Sequence, residues 1–309
     1  MRVGFIGECM SELREAENGL LSQGFAGDTY NSAVYMKRTF PQHDVYYISA
    51  VGKDALSDEM VMHAVNEGIN PRFIGRHEDK HLGLYRIYTD DTGERSFVYW
   101  RSDSAAKSMM QTLDSNDIAA MTAFDMVLFS GISLAIINEE DLSTYFSLLT
   151  RLKSAGVKLV FDINHRPSLW KSKDDAKRLY AKAYELADII LPGIEDFNFL
   201  YGIDTIDETL KFLSDYTFDE VIIKNGSDAV TVINQQGDIS QVPLTPVKNV
   251  VDTTSAGDAF NGVYLGARLD DSSQKEAVEK ASKSAGFVIQ HKGAIVDATA
   301  YSLFSKNLT

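Results

Sequence analysis

The stretch Val250-Val251-Asp252-Thr253-Thr254-Ser255-Ala256-Gly257-Asp258-Ala259-Phe260 changes character halfway along. It opens β-branched and then turns polar and small. From Ala256 the apolar residues recur at helical spacing: Ala256, Ala259, Phe260, Val263, Tyr264 and Ala267. The pattern predicts an extended run, a tight turn and the start of a helix. The first turn of such a helix offers unpaired backbone N–H groups and the positive end of the helix dipole. Small residues let an anion approach those groups closely. One carboxylate, Asp258, sits inside this turn. Two readings compete for it. In the first, Asp258 takes a proton from a hydroxyl that attacks a phosphate. In the second, Ser255 and Asp258 form a capping box that merely starts the helix.

Working outward, the chain of 309 residues is long enough for a full core, as one large α/β unit. Hydrophobic residues make up 44% and charged residues 24%, ordinary for a globular protein. The formal net charge of −14 argues against sequence-independent nucleic-acid binding and against anionic membrane surfaces. The single cysteine, Cys9, allows no intramolecular disulfide and suits a reducing compartment. The apolar start is interrupted by Glu8, too soon for a signal peptide, and no apolar run reaches the ~18 residues of a membrane span. A cytoplasmic protein is expected.

Residues 3–6 and 45–51 read as buried strands, and residues 31–40 and 56–66 as helices, the latter closed by Gly68. Two segments differ in style. Residues 8–23 are polar, with Asn18-Gly19 as a turn signal. Residues 83–89 and 95–101 are strand-like, joined by Asp90-Asp91-Thr92-Gly93-Glu94. Together they predict a small β-layer outside the main sheet, a lid formed by segments at about 8–24 and 72–102 of one domain spanning 1–309. Beyond residue 124 the alternation is regular. Strands are expected at 126–129, 158–163, 188–191, 220–224, 229–233 and 239–242. Helices are expected at 139–154, 174–187, 194–201, 207–216, 256–269 and 274–290. This order predicts βαβ units and a mostly parallel sheet, with ligands beyond the carboxyl ends of the strands.

The sequence has no G-x-x-x-x-G-K-[ST], no G-x-G-x-x-G and no H-E-x-x-H. Phosphate therefore needs another device, and the turn at 255–258 is the candidate. Asp252-Thr253-Thr254-Ser255-Ala256-Gly257-Asp258 resembles the D-T-x-G-A-G-D signature of the ribokinase-like (PfkB) sugar kinases. Ala26-Gly27-Asp28-Thr29-Tyr30-Asn31 resembles that family's N-terminal sugar-binding motif, and Asp162-Ile163-Asn164-His165-Arg166-Pro167 its central D-x-N-x-R-P element. The three stand in family order at family spacing.

The resemblance implies an α/β fold, with a mostly parallel sheet between helices and a small β-sheet lid. It implies transfer of the ATP γ-phosphate to a sugar hydroxyl with Mg²⁺. It assigns Asp258 as the base and the amides of Ser255, Ala256, Gly257 and Asp258 as an anion hole, and it places ATP at Lys224, Gly226, Ser255 and Gly257. Asp252 and the loop Lys292-Gly293-Ala294 are implied as a site for a monovalent cation such as K⁺. Three departures stand out: Ser255 and Ala26 replace glycines, and the N-x-x-E element keeps only its acid, Glu195, which leaves an indirect metal role.

Tyr85, Tyr99, Arg101 and Arg166 resemble the branch of the family that phosphorylates 2-keto-3-deoxygluconate. In that branch two tyrosines and two arginines hold the sugar acid, together with residues matching Gly27, Asp28, Asn31 and Asp258. A guanidinium suits a carboxylate because it can pair with both oxygens. The expected partners are thus a sugar acid and ATP, with no nucleic acid and no membrane, and a homo-oligomer formed through the lid. A fructokinase-like enzyme and a non-catalytic sugar or nucleotide sensor are the alternatives.

Overall fold

The computed structural model describes residues 1–16, 19–89 and 95–308. The expected turn at 90–94, and Asn18 of the other turn signal, lie outside the described residues. Seven strands come from the first hundred residues: β1 (Arg2–Ile6), β2 (Met10–Glu15), β3 (Leu21–Ala26), β4 (Asp44–Val51), β5 (Asn70–Arg76), β6 (Leu84–Thr89) and β7 (Arg95–Trp100). Six follow: β8 (Met126–Ser130), β9 (Lys158–Asp162), β10 (Ile189–Ile190), β11 (Glu220–Ile223), β12 (Val230–Asn234) and β13 (Ile239–Val242). Nine of these form one sheet in the order β13-β12-β11-β10-β9-β8-β1-β4-β5, parallel except where β12 pairs with β11 and β13. Strands such as β8 are buried along their whole length, because helices cover both faces.

The helices are α1 (Asp28–Thr39), α2 (Ala55–Asn66), α3 (Ser115–Met121), α4 (Gly131–Ile136), α5 (Leu142–Ser154) and α6 (Lys173–Leu186). The series continues with α7 (Ile194–Tyr201), α8 (Ile206–Leu213), α9 (Ala256–Leu269), α10 (Gln274–Val288) and α11 (Ala298–Ser305). Two cores result. One gathers Tyr30, Tyr35, Phe260, Tyr264 and Tyr301 from α1, α9 and α11; the other gathers Phe129, Tyr145, Phe161, Tyr180 and Phe197. Within the first core, α9 lies hard against α1. A Cβ on Gly262 would come within 2.2 Å of the Ser32 carbonyl oxygen, so only glycine permits the approach. That contact brings the beginnings of the two helices together.

The remaining four strands form a second sheet, β3-β2-β6-β7, in which β2 and β6 are parallel and the hairpins antiparallel. It grows directly from the body, since β1 reaches β2 through residues 7–9. Among the strands and α-helices of the described residues, four were not expected from sequence: β5, α3, α4 and α11. Strand β5 carries Pro71, which hides a strand signal and is tolerated because β5 is the last strand of its sheet. Helix α4 has six residues, too short for a helical period to emerge.

Candidate active site

Ser255 precedes α9 in the left-handed conformation, φ 65° and ψ 9°, where a Cβ is unfavourable. Its side chain makes no capping hydrogen bond, so the capping box does not form. An N-cap side chain reaches the helix amides from extended backbone, which this turn does not provide. The first α-helical bond runs from the Ala259 amide to the Ser255 carbonyl at 2.9 Å. The amides of residues 256–258 precede it and lack an α-helical acceptor. That of Ala256 turns back to the Thr253 carbonyl at 3.3 Å, so it is partly engaged. A Cβ on Gly257 would meet nothing within 4 Å, which leaves the space before the turn open.

Asp258 lies in that first turn. Its Oδ2 accepts a hydrogen bond from Asn31 Nδ2 at 2.8 Å, across the α1–α9 contact. Burial, with the nearby Asp28 charge, pushes the Asp258 carboxyl up to about 7, and the Asn31 bond opposes the rise. Asn31 is itself held, because its Oδ1 accepts the Gly27 amide at 3.3 Å. A Cβ on Gly27 would come within 2.0 Å of the Glu8 carbonyl, so the chain entering α1 can cross there only as glycine. Asp28 accepts from Asn164 Nδ2 at 2.9 Å, and Asn164 takes a positive φ of 31° to reach it. The first and second sequence motifs therefore meet beside the third.

Lys224, directly after β11, brings a cation into this group. Its Nζ lies 3.2 Å from Asp162 Oδ1 and 3.1 Å from Asn261 Oδ1, while Asn261 donates to Asp162 Oδ2 at 2.9 Å. Burial raises the Asp162 carboxyl, and Lys224 counters it. Asp162 thus pairs with Lys224 and Asn261. Arg166 is exposed and donates from Nη1 to the neighbouring His165 carbonyl at 3.1 Å. Gly226 follows Lys224 with φ 55°, a turn position that favours glycine.

Glu195, the sequence candidate near the metal, is exposed in the first turn of α7. The structured acid there is its neighbour Asp196, which accepts the amides of His165 at 2.9 Å and Gly193 at 3.2 Å; burial lifts its carboxyl to about 6. Among the described residues, no group of three or more His, Cys, Asp or Glu could hold a metal ion.

The second sheet supplies a different chemistry. Tyr85 and Tyr99 face each other across β6 and β7, with ring centroids 5.7 Å apart. Tyr85 is buried and donates to Glu12 on β2; burial and that carboxylate raise its hydroxyl far above the usual range. Tyr99 is exposed. Arg101, just past β7, makes an ion pair with Glu8. Sequence reasoning missed Glu8, Glu12, Asn164, Asp196 and Asn261. Two left a usable signal: Asn164 is the N of the D-x-N-x-R-P element, and Asn261 stands three residues after Asp258 on the same helix face. At the remaining end, Asp252 accepts the amides of Thr254 at 2.8 Å and Gly293 at 2.9 Å, tying loop 292–294 to the turn.

This arrangement can accept a proton at Asp258 and hold an anion before α9. It can also present aromatic and guanidinium groups from the second sheet. The family model described as pfkB family carbohydrate kinase matches residues 3–300. A 2-dehydro-3-deoxygluconokinase of Dickeya dadantii is 39% identical over 303 residues, covering 96% of this chain and 97% of the relative. A 2-dehydro-3-deoxygluconokinase of Thermotoga maritima superposes with a TM-score of 0.82 at 19% identity, over 99% of this chain and 98% of the other. A putative ribokinase II of E. coli, solved in complex with ATP and Mg²⁺, also gives 0.82, at 19% identity over 99% of both chains.

Proposed function

The chain belongs to the pfkB family of carbohydrate kinases, and on that premise we propose that it transfers the γ-phosphate of ATP to 2-keto-3-deoxygluconate, giving 2-keto-3-deoxy-6-phosphogluconate. One observation carries the chemistry. Asp258, half-buried in the first turn of α9 and fixed by Asn31, has a carboxyl poised at about 7, near the pH at which a general base works best.

As the substrate's 6-hydroxyl oxygen bonds to the γ-phosphorus, its proton passes to Asp258. The bond from the γ-phosphorus to the bridging oxygen breaks, and ADP leaves with the electron pair. Charge building on the phosphoryl oxygens meets the Ser255, Gly257 and Asp258 amides, with the Ala256 amide shared with Thr253, and the positive end of α9. Lys224 and Gly226 line the nucleotide's path. Mg²⁺ would supply further charge neutralisation, with Glu195 serving it only indirectly. Gly27, Asp28 and Asn31 hold the sugar hydroxyls. Tyr85, Tyr99, Arg101 and Arg166 hold the acid end. The Asp252 carboxylate and the carbonyls of loop 292–294 are oxygen donors suited to a monovalent cation such as K⁺.

The second sheet serves as the lid. Its last strand, β7, exposes Phe97, Val98, Tyr99 and Trp100 in succession, each 39–55% accessible. An exposed apolar strand edge of this kind suits pairing with a second copy of the chain. Sedimentation that gave a monomer would remove that part of the reading. No helix among the described residues is long and apolar enough to cross a membrane.

A substrate panel tests the whole. ADP release should depend on the keto-deoxy acid, with kcat/KM at least ~100-fold above that for fructose or ribose, since a neutral sugar forgoes the charge-assisted contacts to Arg101 and Arg166. Preference for fructose would point to the fructokinase alternative. ATP binding without turnover of any sugar would point to a sensor.

A further inference from the structure

Accessibility changes abruptly at the end of β7. Trp100 is 55% exposed, yet the side chain of the next residue, Arg101, is only 13% exposed. Its partner Glu8 is 1% exposed and its Nη2 meets Glu8 Oε2 in an ion pair. Glu8 does not belong to the second sheet. It stands two residues beyond β1, at the carboxyl end of a central strand of the main sheet. The pair therefore joins the edge of the small sheet to the rigid body. Room for it is provided by a missing side chain: a Cβ on Gly83 would come within 2.6 Å of Glu8 Oε1 and 3.4 Å of Arg101 Cβ.

A buried ion pair is a poor source of stability, because desolvation offsets most of the attraction. A guanidinium carries five N–H donors, so one carboxylate on Nη2 leaves capacity for a second. An arginine on an exposed strand end would otherwise sample many rotamers before binding. Resting on the acid-substrate reading above, we propose that Glu8 is a positioning residue: it fixes the Arg101 guanidinium so that its free donors receive the carboxylate of the sugar acid. Selectivity for an acid is then set jointly by the main sheet and the small sheet, with Gly83 as the space that lets them meet.

The test compares wild type with Glu8→Gln, Glu8→Asp, Arg101→Met and the double variant Glu8→Gln/Arg101→Met. KM for the keto-deoxy acid, KM for ATP, kcat and the thermal midpoint are measured on each. Glu8→Gln should raise KM for the acid about tenfold, roughly the value of one charge-assisted contact, with KM for ATP within about twofold. Glu8→Asp should recover part of the loss. The double variant should bind the acid no worse than Arg101→Met alone, because Glu8 acts only through Arg101. An unchanged or lowered KM in folded Glu8→Gln would overturn the proposal, as would additive losses in the double variant. Where Glu8→Gln alone is unstable, the comparison of Arg101→Met with the double variant decides. A wild type without preference for the acid refutes the substrate reading and this inference together; a preference that ignores Glu8 refutes the inference alone.

Discussion

The turn before α9 and the small sheet solve opposite problems. The turn is half-buried, built where two helices are locked by glycine, and crowded with acids: Asp28 and Asp162 both help to raise the Asp258 carboxyl, and Lys224 pairs with Asp162. The small sheet is half exposed, ends in an open apolar edge, and holds its charges as pairs, Arg101 with Glu8 and Tyr85 with Glu12. Crowding carboxylates raises a pKa and makes a base. Pairing a guanidinium with a buried acid aims a cation. On the proposed function, proton chemistry falls to the turn before α9, and substrate choice to the small sheet together with Arg166, which follows β9.

The harshest way to break that division is Asp258→Asn. It keeps the shape and the Asn31 contact surface but cannot accept the proton. Turnover should fall by roughly a thousandfold or more, while KM for the acid changes little. The same variant has a stability signature. Its native carboxyl sits near 7, above the unfolded value of 3.8. The folded protein therefore binds the extra proton between those values, and stability declines as pH rises from about 4 to 7. Asp258→Asn should thus gain thermal stability over wild type at pH 8 and much less at pH 5. Near-normal turnover in the folded variant would remove Asp258 as the base.

Arg166→Ala addresses the other side. Because Arg166 is exposed and bonds only a neighbouring carbonyl among the described residues, its loss should leave the thermal midpoint almost unchanged. KM for the sugar acid should rise about tenfold or more, and KM for ATP should not follow. A comparable loss with a neutral sugar would show that Arg166 does not read the carboxylate.

The fold was legible because apolar runs and helical periods recur in order, from residues 3–6 through to 274–290. It failed where tertiary context decides: Pro71 concealed β5, and α4 is too short to show a period. Asp258 was legible through its motif, yet its environment was not. The Asn31 contact depends on Gly262 admitting α1, a packing fact with no local signature. Glu8 and Glu12 read as charges in a polar stretch. Only the pairing of distant strands shows that each is buried against a group of the small sheet.

A subtler test uses pH. Asp258 must be deprotonated to act, so turnover should fall about tenfold per unit as pH drops below about 7. Asp28 is the largest electrostatic cause of the raised value. Asp28→Asn should move the acidic limb to lower pH, even if sugar binding weakens. A limb that stays in place would assign it to another group and loosen the link between crowded acids and base strength.

The smallest effect is expected at Ser255. An L-residue in the left-handed region costs about 1–2 kcal/mol, and glycine escapes that cost but gives the unfolded chain about 0.4–1 kcal/mol more entropy. Ser255→Gly should therefore stabilise the protein by about 1 kcal/mol or less, read as a rise of ~2 °C in the thermal midpoint. Because the side chain makes no capping bond, the turn's amides keep their positions, and turnover should stay within about threefold. A large loss of turnover with unchanged stability would mean that the serine hydroxyl itself meets the phosphoryl group. The anion hole would then owe part of its charge stabilisation to a side chain, and the turn before α9 would share the small sheet's reliance on side chains for recognition.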